Sequence, residues 1–118
     1  MKLLGVTSIY YLFYMITFLL YIYTDLGDNA TIEKIGPPEK VINAFGPEMI
    51  GENVEGKVLS VSAAEHEGRT YYQFELEPPH IFITATAAGN RLYLFGVTGS
   101  GIAIYPLLNS FTVSQHQV

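Results

Sequence analysis

Four short runs of strand-forming residues constrain the fold of this chain more than any other feature. They are residues 57–65, 69–77, 80–87 and 91–97. In the second run, apolar and polar residues alternate, as they do in a strand that turns one face to a core. Gly68 and Gly89 stand in the links between runs, where tight hairpins favour glycine. The sequence therefore predicts an antiparallel sheet made of hairpins.

A short helix is predicted upstream of these runs. Pro38 can occupy its first position, and Gly46-Pro47 is expected to end it. The last two runs carry apolar residues on both faces, which predicts a sheet covered on both sides. A helix packed on an antiparallel sheet belongs to the α+β class. Residues 110–113 could form a further edge strand.

The N-terminal segment has a different character, because residues 3–24 carry no charge. About twenty helical residues cross the hydrocarbon layer of a bilayer. Lys2 before the segment and Asp25 after it would place the N-terminus on the cytoplasmic or stromal side. We therefore expect an apolar N-terminal helix that acts as a signal anchor or an uncleaved signal segment.

Two alternatives remain open for this segment. It could be a cleavable signal peptide, or sequence that does not belong to the domain. In either case the expected division is residues 1–26 as the apolar segment and residues 27–118 as the domain.

Composition excludes several classes of protein. The net charge is −5, from 6 basic and 11 acidic residues, and there is no cysteine. A nucleic-acid-binding protein needs a clustered cationic face, whereas the basic residues here are scattered. Disulfides, thiolate zinc sites and a cysteine nucleophile are excluded. We expect no nucleic-acid partner.

No catalytic constellation is recognisable. The serines lack the G-x-S-x-G context of a nucleophile elbow. The loop Gly99-Ser100-Gly101 is not followed by the Lys-Ser/Thr pair of a phosphate-binding loop. The sequence predicts a protein that is not an enzyme.

Two places could hold a metal ion. His66 lies between Glu65 and Glu67, a set that suits zinc or manganese, although neighbouring strand residues point to opposite faces. A solvated hairpin tip is the alternative interpretation of that cluster. His80, at the start of the third run, is a second candidate ligand.

Four segments resemble the PsbP family of thylakoid-lumen proteins. Residues 68–75 read G-R-T-Y-Y-Q-F-E, similar to that family's G-x-x-Y-Y-x-(F/Y)-E strand. Residues 80–87, H-I-F-I-T-A-T-A, resemble its strand opening with His. Residues 89–93, G-N-R-L-Y, resemble its second hairpin, and residues 32–41 resemble the segment that leads into a helix.

The resemblance implies a sheet between helices, the α-β-α sandwich shared with Mog1-like proteins. Here the sandwich is expected to be incomplete, because the domain resembles one truncated at both ends. Among residues with a proposed metal or docking role in the family, only His80 carries over.

The resemblance also implies a function. The founding member is an extrinsic subunit of the photosystem II oxygen-evolving complex that helps retain calcium and chloride. We expect a photosynthetic accessory protein of the chloroplast thylakoid lumen that binds photosystem II or another thylakoid membrane complex. Calcium is the ligand implied by the resemblance, with manganese or zinc as further candidates.

Two other functions remain open. The chain could be a membrane-anchored β-domain that serves as an assembly or interaction module. It could also be a truncated variant without independent function. Membrane association is expected to be peripheral or through residues 3–23.

Overall fold

The computed structural model describes residues 2–11 and 16–99. Within them the chain forms six strands and two helices. In chain order these are β1 (Lys2–Tyr11), β2 (Ile16–Thr24), α1 (Ile32–Ile35), α2 (Pro38–Ile50), β3 (Val58–His66), β4 (Arg69–Leu76), β5 (Ile81–Ala88) and β6 (Arg91–Thr98). The strand and the loop expected within residues 100–118 lie outside the described residues.

The strands form one antiparallel sheet in the order β1-β2-β6-β5-β4-β3. The two predicted hairpins are present as β3–β4 and β5–β6. In the first, Glu67 and Gly68 have φ of 53° and 77°, as a type I′ turn requires. In the second, Gly89 has φ of 63°. These turns match the right-handed twist of the strands that they connect.

The predicted N-terminal apolar helix is wrong, because this segment forms the hairpin β1–β2. Strand β2 pairs along β6, with Tyr21 opposite Leu94 and Tyr23 opposite Leu92. The segment is rich in Tyr, Ile, Phe and Thr, which favour extended structure. Pairing with β6 satisfies backbone groups that a strand edge would leave open. Among the described residues, no helix is long and apolar enough to cross a membrane.

The predicted α-β-α sandwich is also wrong for the described residues, which are mostly sheet. Their two helices are short and both contribute to the larger of two apolar clusters, on the face of the sheet here called the helix face. The smaller cluster, Val97 with Phe18, Phe82 and Phe95, lies on the opposite face. The buried residues of the core are Ile32, Val41, Ile42, Met49, Val54, Tyr72, Phe74, Leu76, Ile81, Ile83, Ala85, Ala87, Leu92 and Leu94. Each large side chain buried there stabilises the fold by about 1.5–3 kcal/mol.

Helix α2 begins as predicted but ends later. Pro38 lies at its start, whereas the helix continues through Gly46 and Pro47 to Ile50. The predicted end at Gly46-Pro47 is wrong because packing outweighs local propensity: Met49 is buried beyond the proline. The helix ends at Gly51, in the left-handed conformation, whose N–H donates to Pro47 O at 2.8 Å.

Contacts outside the core tie the N-terminal hairpin and the helices to the sheet. The Tyr21 hydroxyl donates to the backbone carbonyl of Glu48 at 3.2 Å. The Tyr23 ring lies 5.0 Å from that of Phe45. Burial and, to a smaller extent, the Glu48 charge raise the pKa of both tyrosines. Strand β2 therefore contacts α2 directly as well as β6.

The hydroxyl of Tyr72 joins β4 to the link between the helices. This side chain is buried, and its hydroxyl donates to Gly36 O at 2.9 Å. Burial chiefly raises the pKa of Tyr72, and Glu33 and Glu39 add to the rise.

We predict that Tyr72→Phe lowers the free energy of unfolding by about 1 kcal/mol at neutral pH, since one hydrogen bond is lost. Unfolded Tyr72 ionises near pH 10 and the folded residue only at higher pH. Its contribution is therefore complete below pH ~10 and is lost as pH rises through the raised folded pKa. Denaturant titrations at neutral and alkaline pH should show the difference between wild type and variant shrinking as pH rises.

The control for this prediction is Tyr71→Phe, which changes a half-buried residue on the other face of the same strand. If the difference in the free energy of unfolding between Tyr72→Phe and wild type stayed constant across pH, the raised pKa of Tyr72 would not be its cause.

A second prediction concerns the core beneath β2. Leu94 is fully buried between Tyr21 and Ala85, its paired residues on the two neighbouring strands. Leu94→Ala should lower the free energy of unfolding by about 2–5 kcal/mol through lost burial and a cavity. Leu4→Ala, at a residue 56% exposed on β1, is the matched control and should cost less than about 0.5 kcal/mol. If Leu94→Ala and Leu4→Ala lowered the free energy of unfolding equally in denaturant titrations, the assignment of Leu94 to the core would be contradicted.

Candidate functional site

The predicted ligand His80 lies directly before β5, after the Pro78-Pro79 turn. Its Nε2 atom is 3.0 Å from Oε2 of Glu75, a residue of β4. Both side chains are 19% exposed. A histidine and a carboxylate therefore meet in a partly sheltered place that solvent still reaches.

The sheet register brings this pair together. Glu75 stands opposite Phe82 in the β4–β5 ladder, and its alternation with Phe74 and Leu76 puts it on the face away from the helices. We call this the outer face. The His80 ring lies 5.2 Å from the Phe82 ring, and Thr98 Oγ1 donates to His80 O at 2.8 Å. Three strands thus hold the backbone and ring of His80.

A small groove of about 110 Å³ adjoins Glu75 on the outer face. On this face the groove is lined by one apolar residue, Phe82, and by the polar residues Ser60, Ser62, Gln73, Glu75 and Thr84. Hydroxyl, amide and carboxylate groups at such spacing can bind water, a small ion or the polar groups of a partner. They contain no nucleophile–base pair of the kind used in acyl transfer.

The arrangement suits some metals better than others. An imidazole and a carboxylate are ligands that zinc and manganese accept. Calcium takes six to eight oxygen ligands, which the pair Glu75–His80 does not offer. In the part of the chain that the structure describes, no group of three His, Cys, Asp or Glu residues could hold a metal. The pair alone offers fewer ligands than the three or four that zinc takes from a protein, and it does not fit calcium.

The second predicted cluster lies elsewhere. Glu65 and His66 end β3, His66 pairs with Arg69, and Glu67 forms the turn. The 8 residues of β4 separate this turn from His80, a span of about 25 Å at the usual rise per residue. The structure therefore keeps the two predicted metal sites apart, at opposite ends of one strand.

Another groove lies at the C-terminal end of α2 and is acidic. It measures about 640 Å³ and is lined by residues that include Glu52, Asn53 and Glu55. Lys57 partly neutralises it, since its ammonium group contacts the Glu52 carboxylate and the Pro78 carbonyl oxygen. This groove is wide and open to solvent, and no sequence motif had indicated it.

Sequence reasoning named His80 as a candidate ligand but did not name Glu75, which lies beside it. The alternation along β4 indicates that Glu75 turns away from the face of Phe74 and Leu76, but nothing in a strand pattern says which residue of the next strand lies beside it. The signal that could have indicated this partner is the short link containing Pro78 and Pro79. The link joins the end of β4 to the start of β5, where Leu76 and Ile81 are paired. From that pairing, Glu75 and His80 come within reach of each other.

Comparison with known proteins identifies related sequences. A sequence model of the family described as PsbP matches residues 19–101. PsbP domain-containing protein 4, chloroplastic, of Arabidopsis thaliana is 77% identical over 78 residues, which cover 66% of this chain and 30% of that protein. PsbP domain-containing protein 6, chloroplastic, of the same plant is 39% identical over 79 residues, covering 61% of this chain and 30% of that protein. The chain thus spans about a third of the length of these relatives.

Proposed function

This chain belongs to the PsbP family, and from that membership we propose that it is a non-enzymatic accessory protein of photosystem II. The family predicted from the strand motifs is confirmed. The observation that carries the proposal is the 77% identity with a PsbP domain-containing protein over 78 residues. Both relatives are named for their domain and neither is named as an enzyme.

We place the protein in the chloroplast, bound peripherally to the thylakoid membrane on its lumenal side. The names of both relatives include the word chloroplastic, which supports the organelle. A peripheral attachment agrees with the strand structure of residues 2–11 and 16–24. An attachment through a helix at residues 3–23 is not part of the proposal, because that helix is replaced by a hairpin.

Docking on a thylakoid membrane complex would use the surface of the sheet and the net negative charge of the chain. The chain has a net charge of −5, so long-range attraction favours a basic surface on the partner. The outer-face groove beside Glu75 presents polar groups that could pair with such a surface. A role in calcium retention would then act through the partner, since the ligands beside His80 do not fit calcium.

Co-sedimentation tests the proposal. Photosystem II membranes stripped of their extrinsic subunits are mixed with the full chain at rising salt. We expect saturable binding at low salt that weakens as salt screens the charges, and release by an alkaline salt wash. Membranes enriched in photosystem I serve as the control.

Three outcomes would contradict this function. They are no binding at low salt, equal binding to both membranes, or retention of the chain in the membrane after the alkaline salt wash. The last outcome would indicate attachment by insertion into the bilayer.

We further propose that His80, with Glu75, contacts Mn²⁺ or Zn²⁺. The support is the 3.0 Å approach of an imidazole nitrogen to a carboxylate oxygen in a place that solvent reaches. Calorimetric titration of the full chain with each ion should show His80→Ala weakening the affinity about tenfold or more, since loss of a residue that only supports a ligand already costs about 10–100-fold.

The matched control for the metal proposal is His66→Ala at the other predicted cluster, which should leave the affinity unchanged within about twofold. If His66→Ala weakens binding and His80→Ala does not, the ion is held at residues 65–67 instead. An affinity unchanged in both variants removes these histidines from any metal site.

A further inference from the structure

The outer-face groove beside Glu75 is built from two rows of side chains that cross β3, β4 and β5. One row is Ser60, Glu75 and Phe82, and the other is Ser62, Gln73 and Thr84. Residues directly opposite in an antiparallel sheet share a face, so both rows turn to the same side. The rows are roughly 7 Å apart, the distance between every second residue of a strand. The sheet register therefore fixes the positions of the groups in the groove.

Thr84 is a polar residue of this groove that the fold leaves unsatisfied. It is 9% exposed, and no hydrogen bond of the described residues uses its hydroxyl group. Thr86, the next residue of β5 on the same face, donates instead to Thr70 O at 2.8 Å. A buried hydroxyl group without a partner costs stability, and native proteins satisfy nearly all such groups. The Thr84 hydroxyl group is therefore placed for a partner that enters the groove from outside.

The charge of the groove favours a cation. Glu75 supplies a carboxylate that is 19% exposed, and none of the described residues that line the groove is basic. His80 contacts Oε2 of this carboxylate at 3.0 Å. A carboxylate has about four lone-pair sites, so it can accept from a second donor at the same time. A partly sheltered carboxylate also attracts a cation more strongly than a fully hydrated one does.

The shape and the acceptors of the groove match a guanidinium group. The volume of about 110 Å³ holds several water molecules, and therefore a flat group of similar size. A guanidinium group carries five N–H donors in a fixed fork, so it can donate to Glu75 in one row and to Thr84 or Gln73 in the other. Its flat face stacks on aromatic rings, and Phe82 stands opposite Glu75. An ammonium group has neither the fork nor the flat face.

We propose that the outer-face groove binds an arginine side chain presented by the surface on which this protein docks. The guanidinium group lies between the two rows and donates to Glu75 and to the Thr84 hydroxyl group. It enters past Ser60 and Ser62, which are exposed on the edge strand β3. This inference rests on the proposed docking to a basic surface and names the residue type that the partner supplies. Such a contact contributes orientation and specificity more than affinity.

A titration of the full chain followed by nuclear magnetic resonance tests the groove without any membrane. The probes are the Nα-acetyl amides of arginine, of lysine and of citrulline, the uncharged analogue of arginine. We expect the arginine probe to shift the backbone amides of both rows saturably at about 1–100 mM, as a single weakly held group does. The lysine probe should bind at least about threefold more weakly, and the citrulline probe should cause no saturable shift. EDTA is present throughout, because a metal ion held by Glu75 and His80 would compete for the carboxylate.

Two threonine variants separate binding from folding. Thr84→Val removes the hydroxyl group and should raise the dissociation constant of the arginine probe about fivefold, as the loss of one hydrogen bond does. Its denaturation midpoint should not fall, since this hydroxyl group makes no hydrogen bond within the described chain. Thr86→Val is the matched control on the same strand and face. It loses the bond to Thr70 O, so its denaturation midpoint should fall while the affinity for the arginine probe is unchanged.

Four results of the titration would overturn the proposal. They are no saturable shift with the arginine probe, equal affinity for the lysine probe, equal affinity for the citrulline probe, or an unchanged affinity in Thr84→Val. None of them bears on whether the chain docks on photosystem II membranes, which co-sedimentation measures separately.

Co-sedimentation of the two variants links the groove to docking. Thr84→Val should bind the stripped photosystem II membranes about twofold or more weakly than wild type, and Thr86→Val should bind them as wild type does. If Thr84→Val binds the membranes as well as wild type, docking stands and the proposed role of the groove is overturned. If the arginine probe binds as expected but the wild-type chain does not bind the membranes, the arginine site is supported and photosystem II is the wrong partner.

Discussion

The helices and the sheet of this chain share one buried apolar surface. Every second side chain of the central strands enters that surface, and this alternation determines which side chains lie on the outer face. Tyr72, Phe74 and Leu76 turn inward from β4, and Leu92 and Leu94 do so from β6. A slip of one residue would bury Gln73 and Glu75 and expose the aromatic side chains. Burial therefore fixes the register of β4–β6, and the register fixes the outer face.

The candidate site is a consequence of that register. Once Leu76 and Ile81 are paired on the helix face, Glu75 must lie on the outer face beside the start of β5. His80 then meets its carboxylate, and the groove next to it collects the polar residues of β3, β4 and β5. Glu75 and His80 belong to neither apolar cluster, whereas Phe82 beside them packs against Val97.

The two edge strands carry the exposed large hydrophobic side chains of the described residues. Helix α2 covers the middle of the helix face, whereas the apolar residues at the edges, such as Val6 and Val61, remain exposed. Among the described strands, the edge strands β1 and β3 each have a neighbour on one side only.

The sequence by itself determined the four strands from residue 57 to residue 98, their hairpin turns and the family, because alternation and turn glycines are local signals. It did not determine β2, since an uncharged run of apolar and aromatic residues fits a membrane helix as well as a buried strand. Only the open edge of β6, a partner distant in sequence, decided between them. The contact between Glu75 and His80 and the continuation of α2 past Pro47 were likewise decided by tertiary packing, which outweighs local propensity when large apolar side chains are buried.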